Sequence, residues 1–203
     1  KEIQDYFTCG INKYALSEEP ENLNAPIKYI LQLGGKQVRP LLVLSACEMF
    51  GGSLSIALKP AMAIEVFHNF TLMHDDIMDE APIRRGKKTV HFAYDINTAI
   101  LSGDVMLIYA YQLLEELEGK LFKKVFKIFN ETAVKVCEGQ RFDLNFETRV
   151  DVSIEEYIKM IEFKTAVLLG CSLEVGAYLG GADDNDAKNM YEFGRNLGIA
   201  FQI

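Results

Sequence analysis

The sequence predicts an all-α fold, a multi-helix bundle, and three observations predict it. Apolar residues recur at helical spacing in nearly every segment. Strand signals are scarce, with few alternating runs and no Asn-Gly or Asp-Gly hairpin dipeptides. Several segments are apolar on more than one face, which implies inner and outer layers of helices. The 203 residues, 49% of them hydrophobic, suit one domain over 1–203 with a sizeable core.

The elements follow in order. Asn24 with Pro26 reads as a start, and Gly34-Gly35 as a stop, for a helix over residues 27–33. Pro40 opens a second helix over residues 41–50, closed by Gly51-Gly52 and apolar nearly all round, hence central. A third helical stretch runs from about Ser53 to about Asp79, with Pro60 at a break or a fresh start. Residues 80–88 contain Pro82 and Gly86 and read as a basic loop, and residues 89–94 as a short helix. A long apolar helix covers 95–117, with Gly119 after it. Further helices cover 120–146, 154–169, 171–179 and 183 onward. Asp183 is the expected cap of the last, with Asp186 adding favourable charge in its first turn.

The net charge of −8 sets nucleic-acid binding aside, because that class carries a basic excess. Cys9, Cys47, Cys137 and Cys171 are far apart with no CxxC pair, so they read as buried thiols in a reducing compartment rather than as a zinc site. There is no apolar run of membrane-spanning length and no signal-peptide core, so a cytoplasmic protein without stable membrane insertion is expected.

Three segments carry chemistry. In His74-Asp75-Asp76-Ile77-Met78-Asp79, Asp75 and Asp79 are four apart and share a helix face, about 6 Å from each other. Like charges so placed repel, and a hard divalent cation removes the repulsion. Magnesium that also takes waters and substrate phosphates needs only one or two protein carboxylates. A solvated acidic helix end is the competing reading. Next, Arg84-Arg85-Gly86-Lys87-Lys88 offers cations, two of them guanidinium forks suited to phosphate, directly after the acids. A solvated basic loop is its alternative. Third, Gly34-Gly35-Lys36-Gln37-Val38-Arg39-Pro40 turns sharply and brings Lys36 and Arg39 to a helix N-terminus, where free N–H groups favour anions. A helix end followed by a helix start accounts for it equally well.

Single residues are more ambiguous. Lys164-Thr165 lies in the apolar run IEFKTAVLLG, where a lysine must be paired, line a wet cavity or snorkel out. His68 shares an apolar helix with His74 and reads as either a ligand or a satisfied core residue. Gln140 and Asp143 stand one helical turn apart, and Gln202 reads as a buried amide.

The ordered set GGKQVRP, EVFHNFTLMHDDIMD, RRGKKTVH, LSGDVML, EGQRFDL, FKTAVLLG and GIAFQI resembles the trans-isoprenyl diphosphate synthases, the polyprenyl synthetase family, from about Asn24 to the end. It looks like the archaeal-type geranylgeranyl and farnesyl diphosphate synthases in particular. The resemblance implies an isoprenoid synthase-type bundle around a deep apolar cavity. It implies a prenyltransferase that condenses isopentenyl diphosphate head-to-tail with an allylic diphosphate. Lys36, Arg39, His68 and Arg85 match positions that hold isopentenyl diphosphate. Asp75, Asp76 and Asp79 match the first aspartate-rich motif, with Asp75 and Asp79 as ligands of Mg2+. Arg84 matches an allylic-diphosphate contact, and Lys164, Thr165 and Gln202 match positions along the allylic site. The catalytic set implied is Asp75, Asp79, Lys164 and Thr165.

Phe70, five residues before Asp75, matches the position of an aromatic floor to the product cavity and so of chain-length control. A twenty-carbon product is expected, a fifteen-carbon product second. The family also implies a homodimer, with residues 95–117 as a candidate interface. Its second aspartate-rich motif follows the Phe-Gln of the last helix, so the domain is expected to be incomplete at its C-terminus. Two competing functions are a terpene cyclase of the same fold, which would not need Lys36, Arg39 and Arg85, and a non-catalytic partner subunit, in which the aspartates are typically lost.

Overall fold

The structure is a computed structural model, and it describes residues 2–13 and 19–203. Ten α-helices carry most of the described chain. They are α1 (Glu2–Lys13), α2 (Glu21–Gln32), α3 (Val38–Met49), α4 (Leu54–Met78), α5 (Val90–Ala93), α6 (Ile96–Gln112), α7 (Gly119–Phe146), α8 (Ile154–Ile161), α9 (Val167–Gly180) and α10 (Asp184–Gln202). A π-helical segment, Glu162–Ala166, joins α8 to α9.

Burial follows the apolar pattern. Helices α4 and α9 are apolar around most of their circumference and run through the core. Helix α3 packs on both, α6 on α4, and α7 and α10 on α9. Phe67, Phe129, Ile64, Leu44 and Met106 are among the largest fully buried side chains. They belong to one continuous cluster drawn from α1 to α9.

Side chains set several helix starts. Asp183 accepts from Asn185 N and Asp186 N, both at 2.9 Å, as expected of a cap. Asp95 caps α6 through Thr98 N, and Ser153 with Glu156 forms a reciprocal capping box on α8.

The structure differs from the sequence expectations at definable places. Helix α2 starts at Glu21, behind Pro20, so Asn24 and Pro26 lie inside it. Pro60 does not interrupt α4; it sits in the second turn, where only the Ile56 carbonyl loses its partner. The helix expected over 95–117 ends at Gln112 and gives way to turns. The basic loop closes as a minimal hairpin, β1 (Ile83–Arg84) against β2 (Lys87–Lys88). Arg85 at φ 51° and Gly86 at φ 77° make the left-handed two-residue turn that such hairpins favour. The two helices expected over 154–169 and 171–179 are one continuous helical run, because Gly170 does not break it. A Cβ there would lie 2.9 Å from the Tyr191 ring, so the glycine serves the approach of α10. All four cysteines are free; Cys47 and Cys171 are buried as expected, whereas Cys9 and Cys137 are exposed. Among the described residues, no helix is long and apolar enough to cross a membrane.

Candidate active site

Helix α4 ends on the acids. Asp76 is 2% exposed, and Arg84 from the hairpin closes it. Arg84 Nε donates to both Asp76 oxygens at 2.9 Å, and Nη2 lies 2.7 Å from Oδ1. Burial alone would lower the Arg84 pKa, but the bonds and charges of Asp76, with those of Asp75 and Asp79, leave it raised. Both Asp76 oxygens are thus engaged by Arg84 in this structure. Asp75 is less enclosed, and Arg84 Nη2 reaches it at 3.6 Å. Asp79, the C-cap residue just after α4, is exposed, and its carboxyl is pushed up by partial burial and then by Asp75, with Lys164 opposing.

Lys164 meets these acids from the opposite wall. Its Nζ donates to Asp143 Oδ2 at 2.6 Å and to Asp75 Oδ1 at 3.1 Å. Burial would lower its pKa, but Asp143 and Asp75 outweigh that and raise it, so it stays an ammonium. The reach depends on two backbone features. The π-helical segment inserts an extra residue, with Val167 N bonding the Glu162 carbonyl, and so re-aims Lys164 and Thr165. Gly139 of α7 lets this segment come into backbone contact, since a Cβ there would stand 2.2 Å from Lys164 N.

A second group of cations lies around the start of α3. Gly34 and Gly35, at φ 75° and 147°, turn the chain after α2. A Cβ on Gly35 would meet the Arg85 guanidinium at 2.8 Å, so the absent side chain admits Arg85. Arg39 Nη1 lies 3.1 Å from His68 Nε2. Burial, then the charges of Arg39, Arg85 and Arg84, hold His68 well below its ordinary pKa, and it is neutral. The same burial lowers Arg39, with buried Glu65 acting in the opposite direction. Among the described residues, buried Arg39 Nε and Gln140 Nε2 have no hydrogen-bond partner. Lys36 is exposed on the connecting turn.

Both groups open on one cavity of about 440 Å³. Arg39, His68, Asp75, Lys164, Thr165 and Gln140 supply its polar lining, and Phe70, Val136, Leu144 and Leu168 are among its apolar walls. Phe70 packs against Phe67 and against the His74 ring, with centroids 5.7 and 4.8 Å away. It also lines a second, more open cavity of about 600 Å³ between α4, α6 and α7, and so stands in the partition between the two.

Sequence reasoning left Asp143 and Gln140 open, and the structure brings both to the site. It passed over Arg141 and His74, which line the cavity, and Glu65 behind it. Gln202, expected as a buried amide, is exposed in this structure and is not among the residues that line the cavity. It continues the face on which Gly194 and Gly198 pack against the π-helical segment and α9, one turn further on. Among the described residues, no three or more His, Cys, Asp or Glu side chains converge as a metal cage. Asp75 and Asp79 supply hard oxygen donors on successive turns, which fits a magnesium ion completed by water and substrate phosphates.

The description Polyprenyl synthetase matches residues 20–203. The geranylgeranyl diphosphate synthase of Sulfolobus acidocaldarius is 43% identical over 197 residues, covering 95% of this chain and 59% of that protein. That of Methanosarcina mazei is 41% identical, covering all of this chain and 63% of its own. The chain therefore spans about three-fifths of the length of these relatives. A crystal structure of a geranylgeranyl pyrophosphate synthase superposes with a TM-score of 0.97 at 50% identity, covering 99% of this chain and 62% of that one. A polyprenyl synthase from Caulobacter crescentus, complexed with calcium and isoprenyl diphosphate, superposes at 0.91 with 28% identity, over 99% of this chain and 60% of its own. With its helices, its motifs and its whole length from residue 20 in register, this chain belongs to the polyprenyl synthetase family.

Proposed function

We propose that the protein is a prenyltransferase that joins isopentenyl diphosphate head-to-tail to an allylic diphosphate, releasing a chain longer by five carbons. The observation that carries this reading is the pairing of two polar stations on one apolar cavity. Arg39, His68 and Arg85, with Lys36 at the rim, form the station for isopentenyl diphosphate. Asp75, Asp79, Lys164, Thr165 and Arg84 form the station for the allylic diphosphate. A cyclase acting on one diphosphate needs only the second station, and a non-catalytic subunit needs neither.

The residues act as follows. Lys164 sets a fixed positive charge beside the departing diphosphate, in a site walled by apolar side chains where such a charge is effective. Magnesium held by Asp75 and Asp79, when bound, supplies further positive charge to that leaving group. As the allylic C–O bond breaks, its electron pair leaves with the diphosphate, and the cation delocalises over the allylic carbons. The double bond of isopentenyl diphosphate then supplies the pair for the new C–C bond, and the released diphosphate takes the proton whose C–H pair closes the product's double bond. Phe70, Val136, Leu144 and Leu168 keep out water that would capture the cation. Phe70, as the partition, favours a twenty-carbon product, with fifteen carbons second.

A cytoplasmic homodimer completes the proposal. Support comes from the four free thiols and from exposed Ile96, Ile100 and Ile108, four and eight residues apart on α6 and so near one face. The test is incubation of the purified protein with magnesium, radiolabelled isopentenyl diphosphate and allylic primers. Label in a longer allylic product is expected. Cyclised primer, or label incorporated only when another subunit is added, contradicts it.

A further inference from the structure

His68 is held in one protonation state by a partner that can only donate. A guanidinium has five N–H donors and no acceptor. The 3.1 Å contact between Arg39 Nη1 and His68 Nε2 therefore requires Nε2 to carry a lone pair, and the ring proton sits on Nδ1. The ring faces a cation-rich wall. Arg39 stands on α3, and Arg84 and Arg85 stand on the hairpin. Across the same cavity are Arg141 of α7 and Lys164 of the π-helical segment, and Glu65 and Asp75 lie on His68's own helix. Both the hydrogen bond and the surrounding field hold the free ring neutral.

A diphosphate reverses each of these. It brings several negative charges into the space that Arg39, Arg85 and His68 surround, and it offers only acceptors. Arg39 Nη1 is then drawn to phosphate oxygen, and a lone pair on His68 Nε2 would face an oxyanion. A proton on Nε2 removes that repulsion and makes a charge-assisted hydrogen bond. We infer that binding of a diphosphate in this cradle is coupled to uptake of a proton at His68 Nε2, as Arg39 exchanges the imidazole for the phosphate. The inference rests on reading the cradle as the isopentenyl diphosphate station. By linkage, the bound state holds the extra proton, so affinity rises as pH falls through the window between the free and bound pKa values of the ring.

The experiment is calorimetric titration of the purified protein with isopentenyl diphosphate near neutral pH, in buffers of different ionisation enthalpy. It is run on the wild type and on His68→Gln, whose amide can bond a phosphate without titrating. The ligand's own titration is common to both, so the difference in proton uptake isolates the ring. The expected difference approaches one proton, about 0.5–1, falling toward zero at higher pH. Equal buffer dependence in the two proteins, with binding intact, overturns the proton coupling and leaves the diphosphate station standing. Absence of binding heat in the wild type in every buffer overturns both. Should His68→Gln fail to fold, nitrogen-15 NMR of the wild-type ring decides. A neutral Nδ1–H tautomer that becomes imidazolium on saturation supports the inference, and an unchanged tautomer contradicts it.

Discussion

Gly139 and Lys164 meet backbone to backbone: a Cβ on the glycine would lie 2.2 Å from the lysine nitrogen and 2.6 Å from its Cα. Neither helix can yield by moving a flexible side chain. Gly139→Ala is therefore expected to displace the π-helical segment and to destabilise the protein by about 1–3 kcal/mol, the usual cost of overpacking. The displacement takes Lys164 away from Asp75 and lowers kcat by roughly tenfold or more. Urea unfolding and steady-state kinetics measure the two effects. A variant with wild-type stability and kcat would show that the contact does not position Lys164.

The Arg84–Asp76 pair is a buried structural bond between the hairpin and α4. Arg84→Ala leaves the Asp76 carboxylate buried with no counter-charge, and a loss of about 3–5 kcal/mol in denaturant unfolding is expected. Arg84→Lys recovers only part of it, because an ammonium cannot reproduce the fork that spans both Asp76 oxygens.

Phe70, with Cys137 and Arg141, lines both the cavity of about 440 Å³ and the one of about 600 Å³. Phe70→Ala is expected to join them and shift the product distribution beyond twenty carbons, at a stability cost of about 3–5 kcal/mol. Chromatography of the dephosphorylated products reads the shift. An unchanged distribution would make Phe70 an ordinary core residue.

Glu174 on α9 gives a pH prediction. Burial, and then the Glu131 carboxylate, push its carboxyl up from 4.5 to about 7, against the pull of Lys135 and Lys124. Between pH 4.5 and 7 the folded protein holds more protons than the unfolded chain, so this group's contribution to stability falls as pH rises through that window. Glu174→Gln removes the dependence. The variant is expected to exceed the wild type at pH 8 by on the order of 1 kcal/mol, after allowance for solvent screening. The gap should close below pH 4.5. Chemical unfolding at the two pH values measures it.

How much of this was legible in the sequence depended on the length scale of the cause. Helical periodicity and the Asp183 cap are local, and they placed most elements. Proline was over-read at Pro26 and Pro60, because near a helix start it forfeits a single hydrogen bond. Glycine was over-read at Gly170, whose cause is a ring on another helix. The acids of α4 and the arginines of the hairpin were legible as ligand-type residues. The closure of Asp76 by Arg84 was not, since it needs the left-handed turn at Arg85-Gly86 to swing the chain back. Asp143 stayed ambiguous because its partner, Lys164, is distant in sequence, and the π-helical segment that joins them leaves no mark in composition.

The central claim is that two separate diphosphate stations share one cavity, and single-residue kinetics test it most directly. Arg39→Ala and Asp79→Ala are each assayed with isopentenyl diphosphate and with the allylic substrate varied in turn. The account predicts that Arg39→Ala raises the KM for isopentenyl diphosphate by roughly 10- to 100-fold while the allylic KM holds, as expected on loss of a charged hydrogen-bond donor. Asp79→Ala should instead lower kcat and leave the KM for isopentenyl diphosphate near the wild-type value. Both variants raising both KM values together would contradict the account.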